Sequence, residues 1–107
     1  MLQTQQNARI HLLIALLVLI VAALFRVSRV EWILLLVMIS IVWAAELFNT
    51  AVEVIIDHIS PEQQRFARIS KDVSAAGVLI TAVISILVGG LIFGPRLVSW
   101  WASIIGK

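Results

Sequence analysis

Three apolar segments separated by short polar stretches dominate the chain, at about residues 10–26, 32–56 and 73–93. The second and third are long enough to cross a bilayer, which takes about 20 helical residues. The first is short for a span, so its helix must extend past the apolar run or let Arg9 and Arg26 reach the headgroups. The pattern predicts an all-α membrane protein with three transmembrane helices. A cleaved signal peptide is the alternative for the first segment, although no clear cleavage site precedes a polar mature domain.

Local signals predict where two of these helices begin. Ser28 is followed three residues later by Glu31, which is the pattern of a capping box and places a helix start at about Arg29. Ser60 and Pro61 form a similar pattern, with a glutamine three positions after the serine. We therefore expect a tight turn between the first two helices and a new helix starting at Pro61.

The third helix is expected to stop at Gly94 and Pro95. The tail 94–107 contains Trp100 and Trp101, residues that concentrate at membrane interfaces. A short interfacial segment is therefore predicted at each end of the chain. No internal repeat is apparent, so residues 1–107 are expected to form a single domain with a loop over 57–72.

Composition agrees with the membrane assignment. The chain has 107 residues, of which 62% are hydrophobic and 13% charged, and a soluble domain this small could not bury so much apolar surface. The net charge of +2 comes from scattered groups without a Lys or Arg run, so nucleic-acid binding is not indicated. The lack of cysteine excludes disulfides and thiolate metal sites.

Charge does not fix the orientation. If the amino terminus and the 57–72 loop share a side, each side of the membrane has four basic residues, so the excess of Lys and Arg that usually marks the cytoplasmic side is absent. One side has Arg9, Arg65, Arg68 and Lys71; the other has Arg26, Arg29, Arg96 and Lys107.

Polar residues interrupt the end of the second apolar segment at Glu46, Asn49, Glu53 and Asp57. At 100° per residue these four positions form one stripe about 80° wide, and Thr50 extends it. Charged groups in a bilayer cost roughly 2.5 to 3.5 kcal/mol, so they usually mark a function or pair with a partner. Counting about 20 residues from the start of the span places Glu46 inside the hydrocarbon boundary and Glu53 and Asp57 at or beyond it.

The stripe has two interpretations that spacing alone does not separate. Its side chains could clamp helices or subunits together, or pair with the basic residues of the loop. They could equally hold Mg²⁺ and phosphate, because Mg²⁺ prefers oxygen ligands and keeps substrate phosphates in its shell. A desolvated Glu46 would suit a general base. Lys71, which stands with Asp72 at the start of the third span, could neutralise phosphate oxygens or simply extend to the membrane interface. His11 and His58 are expected to be interfacial residues.

Several motifs resemble the small prokaryotic membrane lipid kinases, the diacylglycerol kinase and undecaprenol kinase family. They are ELFNTAVE at 46–53, the aspartate at 57, the loop ISPEQQ, KDVSAAGVLI at 71–80, NARIHL at 7–12 and SRVEW at 28–32. The resemblance implies a homotrimer with composite active sites on the cytoplasmic face of the prokaryotic membrane. It also implies transfer of the γ-phosphate of MgATP to the primary hydroxyl of diacylglycerol or undecaprenol.

By position, the resemblance makes Glu46 the general base and Glu53 the Mg²⁺ ligand, with Asn49 beside them. The remaining positions expected to contact the cofactor are Asp57, Glu62, Gln63, Gln64, Lys71, Asp72 and Gln5. Gln5 replaces an acidic residue of the family, and an amide is a weaker Mg²⁺ ligand than a carboxylate. The loop also departs from the family at Glu62, Gln63 and Gln64. Only MLQTQQ precedes Asn7 here, where the resemblance implies an amphipathic helix before the first span.

Two hypotheses of other classes stay open beside the lipid kinase. One is a non-enzymatic membrane assembly protein in which the stripe is a polar clamp. The other is an ion or proton conductor, which is less favoured because the polar residues crowd one end of one span and do not line a path through the bilayer.

Overall fold

A computed structural model describes residues 2–60 and 64–106, with side chains described from Arg9 onward. The described residues form three α-helices, which are α1 (Leu2–Leu24), α2 (Arg29–Ile59) and α3 (Arg65–Ile105). The predicted all-α class is confirmed. Helix α2 packs along α3, whereas α1 packs more lightly against α2.

The start of α2 at Arg29 is confirmed, together with its capping box. The backbone N–H of Glu31 donates to Ser28 Oγ at 3.2 Å, and the backbone N–H of Ser28 donates to Glu31 Oε1 at 2.9 Å. These bonds satisfy donors that the first helical turn would otherwise leave unpaired. They fix the direction in which α2 leaves the turn.

Arg26 closes the end of α1 in the left-handed region, with φ of 54°. Its N–H donates to the carbonyl of Ala23 and the N–H of Val27 donates to the carbonyl of Ala22, both at 3.2 Å. This pair of bonds is a common helix C-cap, in which glycine is the usual residue at the left-handed position. Val27 and Ala22 are both buried in the apolar core, so the turn also packs against one end of that core.

The predicted start of α3 at Pro61 is wrong. The N–H of Ser60 still donates to the carbonyl of Ile56 at 2.7 Å, so this serine caps the end of α2. Gln64 has an extended backbone and serves as the N-cap of α3, which begins at Arg65. Residues 61–63, including Pro61, lie outside the described part of the chain.

The expected stop at Gly94 and Pro95 is also wrong, because α3 continues through both residues to Ile105. Proline removes one helical N–H and crowds the preceding turn, a cost that neighbouring contacts can offset. Next to it, the Arg96 guanidinium donates to the carbonyl of Ile92 at 3.0 Å and bonds Glu31 at the start of α2. Whether residues 94–107 lie at the membrane interface stays a prediction.

The apolar core is small and sits at the end of the molecule that carries the α1–α2 turn. Ala22, Val27, Leu35 and Ile92 form it, and Phe25 packs beside it. The accessible surface is 8230 Å², whereas a compact soluble protein of this mass exposes about 5,900 Å². The radius of gyration is 18.0 Å, against roughly 13 Å for a globular domain of this length. The chain therefore exposes far more surface than a soluble fold does.

The exposed surface is largely apolar, which fits a lipid environment. Helices α2 and α3 are each long and apolar enough to cross a membrane, and only 6% of the apolar window in each is buried. Core helices of soluble proteins are mostly buried, so this exposure argues that α2 and α3 are not core helices of a soluble protein. The apolar part of α1, Arg9–Leu24, is shorter than a usual span, and its role as a third span stays a prediction.

Candidate active site

The polar stripe of α2 is the place where side chains from all three helices meet. Glu46, Asn49 and Asp57 each contact a polar residue of another helix: His11 of α1, Ser74 of α3 and Lys71 of α3, respectively. Glu46 and Asp57 are separated by about 16 Å along the helix axis, at 1.5 Å per residue. The prediction that these residues share one helix face agrees with this arrangement.

Glu46 is half-buried against α1. Its Oε1 lies 3.0 Å from His11 Nε2, and the two side chains keep 28% and 31% of their surface exposed. The distance falls within hydrogen-bonding range. One turn further along α2, the Thr50 hydroxyl donates to the backbone carbonyl of Glu46 at 3.0 Å, so it does not compete for the carboxylate.

Asn49 connects α3 to Glu53. The Ser74 hydroxyl donates to Asn49 Oδ1 at 2.5 Å, and Asn49 Nδ2 donates to Glu53 Oε1 at 3.3 Å. Because its oxygen is anchored to α3, the amide must turn its nitrogen toward Glu53. Glu53 itself is exposed, so its second oxygen can bind another group.

Lys71 forms an ion pair with Asp57 at the outer end of the stripe. Asp57 keeps 61% of its side chain exposed and Lys71 keeps 23%. The lysine therefore lies in the site, on the face of α3 that meets the stripe, instead of extending alone to the headgroups. Asp72, the next residue, is exposed.

The other predicted site residues are placed only in part. Gln64 is the exposed N-cap residue of α3 and makes no side-chain capping bond. Gln5 belongs to α1 by its backbone, but its side chain lies outside the described part, as do Glu62 and Gln63. Their expected contacts with a nucleotide or metal stay predictions.

The described side chains contain no cluster of three acidic, histidine or cysteine residues that could form a complete metal site. Mg²⁺ does not require one in nucleotide-using proteins, where one or two carboxylates and the substrate phosphates hold the ion. Exposed Glu53, with one oxygen bound to Asn49, fits this arrangement. A single exposed carboxylate fits a metal ion that arrives with a nucleotide better than a metal ion bound by protein ligands alone.

A second ion pair, which sequence reasoning missed, lies at the opposite end of the helices. Arg96 donates to Glu31 through its two terminal guanidinium nitrogens, to Oε2 at 2.6 Å and to Oε1 at 2.5 Å. The bonds from Arg96, followed by the Ser28 backbone N–H of the capping box, lower the pKa of Glu31 from 4.5 to about 2. The bonds to Glu31 raise the pKa of Arg96. This pair ties α3 to the start of α2 and stands apart from the candidate site.

His11 is the site residue that sequence reasoning undervalued. Its position near the start of an apolar segment suggested an interfacial residue, whereas the structure places it beside Glu46. No local pattern in the sequence points to this contact, because it depends on how α1 packs against α2.

Comparison with known proteins identifies the family. The family model described as "Prokaryotic diacylglycerol kinase" matches residues 1–93. An undecaprenol kinase of Bacillus subtilis is 37% identical over 95 residues, covering 89% of this chain and 77% of the relative. A diacylglycerol kinase of Synechocystis sp. is 33% identical over 97 residues, covering 90% of this chain and 55% of the relative.

A diacylglycerol kinase of Haemophilus influenzae is 34% identical over 67 residues, covering 62% of this chain and 57% of the relative. The chain thus spans little more than half the length of these two diacylglycerol kinases. No solved structure matches it significantly. The family match begins at residue 1 and includes all of the first apolar segment, so this segment belongs to the family's domain. The chain therefore belongs to the prokaryotic diacylglycerol kinase family, a family of lipid kinases.

Proposed function

We propose that the protein transfers the γ-phosphate of MgATP to the primary hydroxyl of a membrane lipid, either diacylglycerol or undecaprenol. The observation that carries this proposal is the gradient of exposure along one face of α2. Glu46 is half-buried at one end, and Asp57 is mostly exposed beside a lysine at the other, about 16 Å away. A lipid hydroxyl can approach the first end from the bilayer, and phosphates can approach the second from water.

In the proposed reaction Glu46 is the general base. The lipid oxygen forms a bond to the γ-phosphorus while the bond from that phosphorus to the bridging oxygen of ADP breaks. The hydroxyl proton passes to the Glu46 carboxylate, and the bridging electron pair leaves with ADP. Most of the catalysis in such a reaction comes from positioning and from offsetting the oxygen charges. A half-buried carboxylate at the bilayer boundary is well placed to meet an interfacial hydroxyl.

The outer part of the stripe is assigned to the nucleotide. Glu53 would hold Mg²⁺, which when bound offsets charge on the phosphate oxygens. Asn49 orients Glu53, and Lys71 would exchange its Asp57 partner for phosphate as the nucleotide enters. The proposed nucleotide contacts also include Asp57, Asp72, Glu62, Gln63, Gln64 and Gln5.

We further propose a homotrimer in the prokaryotic cytoplasmic membrane with its sites at the cytoplasmic face. The large exposed apolar surface supports contacts with other subunits as well as with lipid. The open, one-sided stripe also supports sites that neighbouring subunits complete. The 57–72 loop would then face the cytoplasm, where ATP is available.

Glu46→Gln tests the proposed base with little change in side-chain volume. The purified protein would be given labelled ATP, Mg²⁺ and each lipid in turn, and its oligomeric state followed by size-exclusion chromatography in detergent. The variant should remain trimeric but transfer no phosphate, because an amide does not accept the hydroxyl proton. Strong activity in this variant would refute the assignment of Glu46.

A specific observation also favours the clamp function, because Ser74–Asn49 and Lys71–Asp57 do join α2 to α3. Glu53→Gln separates the two functions, since Glu53 contacts Asn49 within its own helix. A kinase would lose Mg²⁺ dependence and ATP affinity while staying trimeric. A clamp protein would be unchanged by Glu53→Gln and would instead be destabilised by Ser74→Ala, which breaks a bond between α2 and α3.

A further inference from the structure

We propose that His11 positions the catalytic base, by holding one oxygen of the Glu46 carboxylate so that the other faces the lipid hydroxyl. This inference rests on the proposed kinase function and adds a residue of α1 to its machinery. The carrying observation is the 3.0 Å approach of His11 Nε2 to Glu46 Oε1 from a different helix.

The carboxylate needs such a partner because of where it lies. It is half-buried on a helix long and apolar enough to span the membrane, where an unpaired charge is costly. Thr50, its neighbour on the stripe, bonds the backbone and leaves both carboxylate oxygens free. Without His11 the carboxylate could rotate toward water. In the proposed arrangement an N–H at His11 Nε2, which lies 3.0 Å from Oε1, would hold that oxygen and leave Oε2 for the substrate.

The geometry separates this role from that of the neighbouring polar residues. Asn49 and Glu53 are bonded to each other and to Ser74, while Lys71 is bonded to Asp57. Each serves the outer part of the stripe. Among the described side chains, His11 is the polar group that contacts the Glu46 carboxylate. Loss of His11 should therefore slow the chemical step and spare nucleotide binding.

Three substitutions at one position test the proposal. Glutamine can place an amide N–H near the position of Nε2, asparagine is too short to do so, and leucine has no donor. We expect His11→Leu and His11→Asn to lower kcat at least ten-fold while the KM for MgATP stays within two-fold. His11→Gln should recover at least one third of the wild-type kcat. His58→Gln, which changes the exposed histidine at the end of α2, is the matched control and should leave kcat unchanged.

The outcomes distinguish this inference from the proposed function. If Glu46→Gln abolishes transfer but His11→Leu keeps a kcat within two-fold of wild type, the positioning role of His11 is refuted and the kinase function stands. If His11→Gln is as slow as His11→Asn, the N–H at this position is not what matters, and the inference is again refuted. If the wild-type protein phosphorylates neither lipid, the proposed function fails and the inference fails with it. Comparing the glutamine and asparagine variants keeps the test valid even if the leucine variant does not fold.

Discussion

Replacing Asn49 by alanine should weaken Mg²⁺ dependence much more than it weakens the fold. The substitution removes the bond from Ser74, which joins two helices, and the bond to Glu53, which lies within α2. Hydrogen bonds between membrane helices average about 0.6 kcal/mol, and side-chain pairs four residues apart on a helix add roughly 0.2 to 0.5 kcal/mol. The total loss is about 1 kcal/mol.

The higher helix propensity of alanine offsets part of that loss in stability. Alanine is the best helix former and asparagine one of the weaker ones, a difference of about 0.6 kcal/mol. The net change in stability should then be about 0.5 kcal/mol, a small part of a total stability of about 5 to 15 kcal/mol. The purified variant should therefore remain folded and assembled.

The effect on metal binding should be larger. Residues that orient a metal ligand typically contribute 10- to 100-fold in metal affinity, which corresponds to about 1.4 to 2.7 kcal/mol. Initial rates of lipid phosphorylation, measured while free Mg²⁺ is varied at fixed ATP, should give a half-saturating Mg²⁺ concentration at least ten-fold above wild type.

Two control variants test this reasoning. Ser74→Ala removes the anchor from α3 but keeps Asn49 beside Glu53, so it should shift Mg²⁺ dependence less than Asn49→Ala. Thr50→Val removes a hydroxyl bonded to the backbone of the same helix and should shift it not at all. An Asn49→Ala protein with wild-type Mg²⁺ dependence would refute the link between Asn49 and Glu53. So would an equal shift in Thr50→Val.

Two further predictions concern stability at the opposite end of the molecule. The pKa of Glu31 is lowered from 4.5 to about 2 in the folded protein, so its ion pair with Arg96 stabilises the fold above about pH 4.5 and is lost as the pH falls toward 2. Glu31→Gln preserves a capping-box residue and should lower the thermal midpoint in detergent at pH 7. Near pH 2 its thermal midpoint should differ little from that of the wild type, and an equal difference at both pH values would contradict this. Arg26 has a left-handed backbone with φ of 54°, so Arg26→Gly should stabilise the protein by about 1 kcal/mol, whereas Arg26→Ala should not, as measured by chemical denaturation.

The parts of the fold that depend on local signals were predictable from the sequence. Ser28 and Glu31 predict the start of α2 because a capping box involves only residues three apart. The stripe is predictable because helical periodicity alone places Glu46, Asn49 and Glu53 on one face. These predictions need no knowledge of how the helices pack.

The remaining features depend on contacts between distant segments. Pro95 predicts a helix end locally, yet α3 continues beside Arg96, whose bond to Glu31 reaches across 65 residues of sequence. The contact of His11 with Glu46 likewise depends on how α1 packs against α2, which no local pattern encodes. Sequence alone misplaces the start of α3, because Ser60 has the residue type of an N-cap but ends α2.

We propose that this chain phosphorylates a membrane lipid with Glu46 as the base. The most direct test of this proposal is the transfer of labelled phosphate from ATP to diacylglycerol or undecaprenol by the purified wild-type protein and by Glu46→Gln, measured side by side at equal amounts of assembled protein. We expect a labelled lipid phosphate from the wild type and none above background from the variant. Equal labelling by both proteins, or labelling by neither, would contradict it.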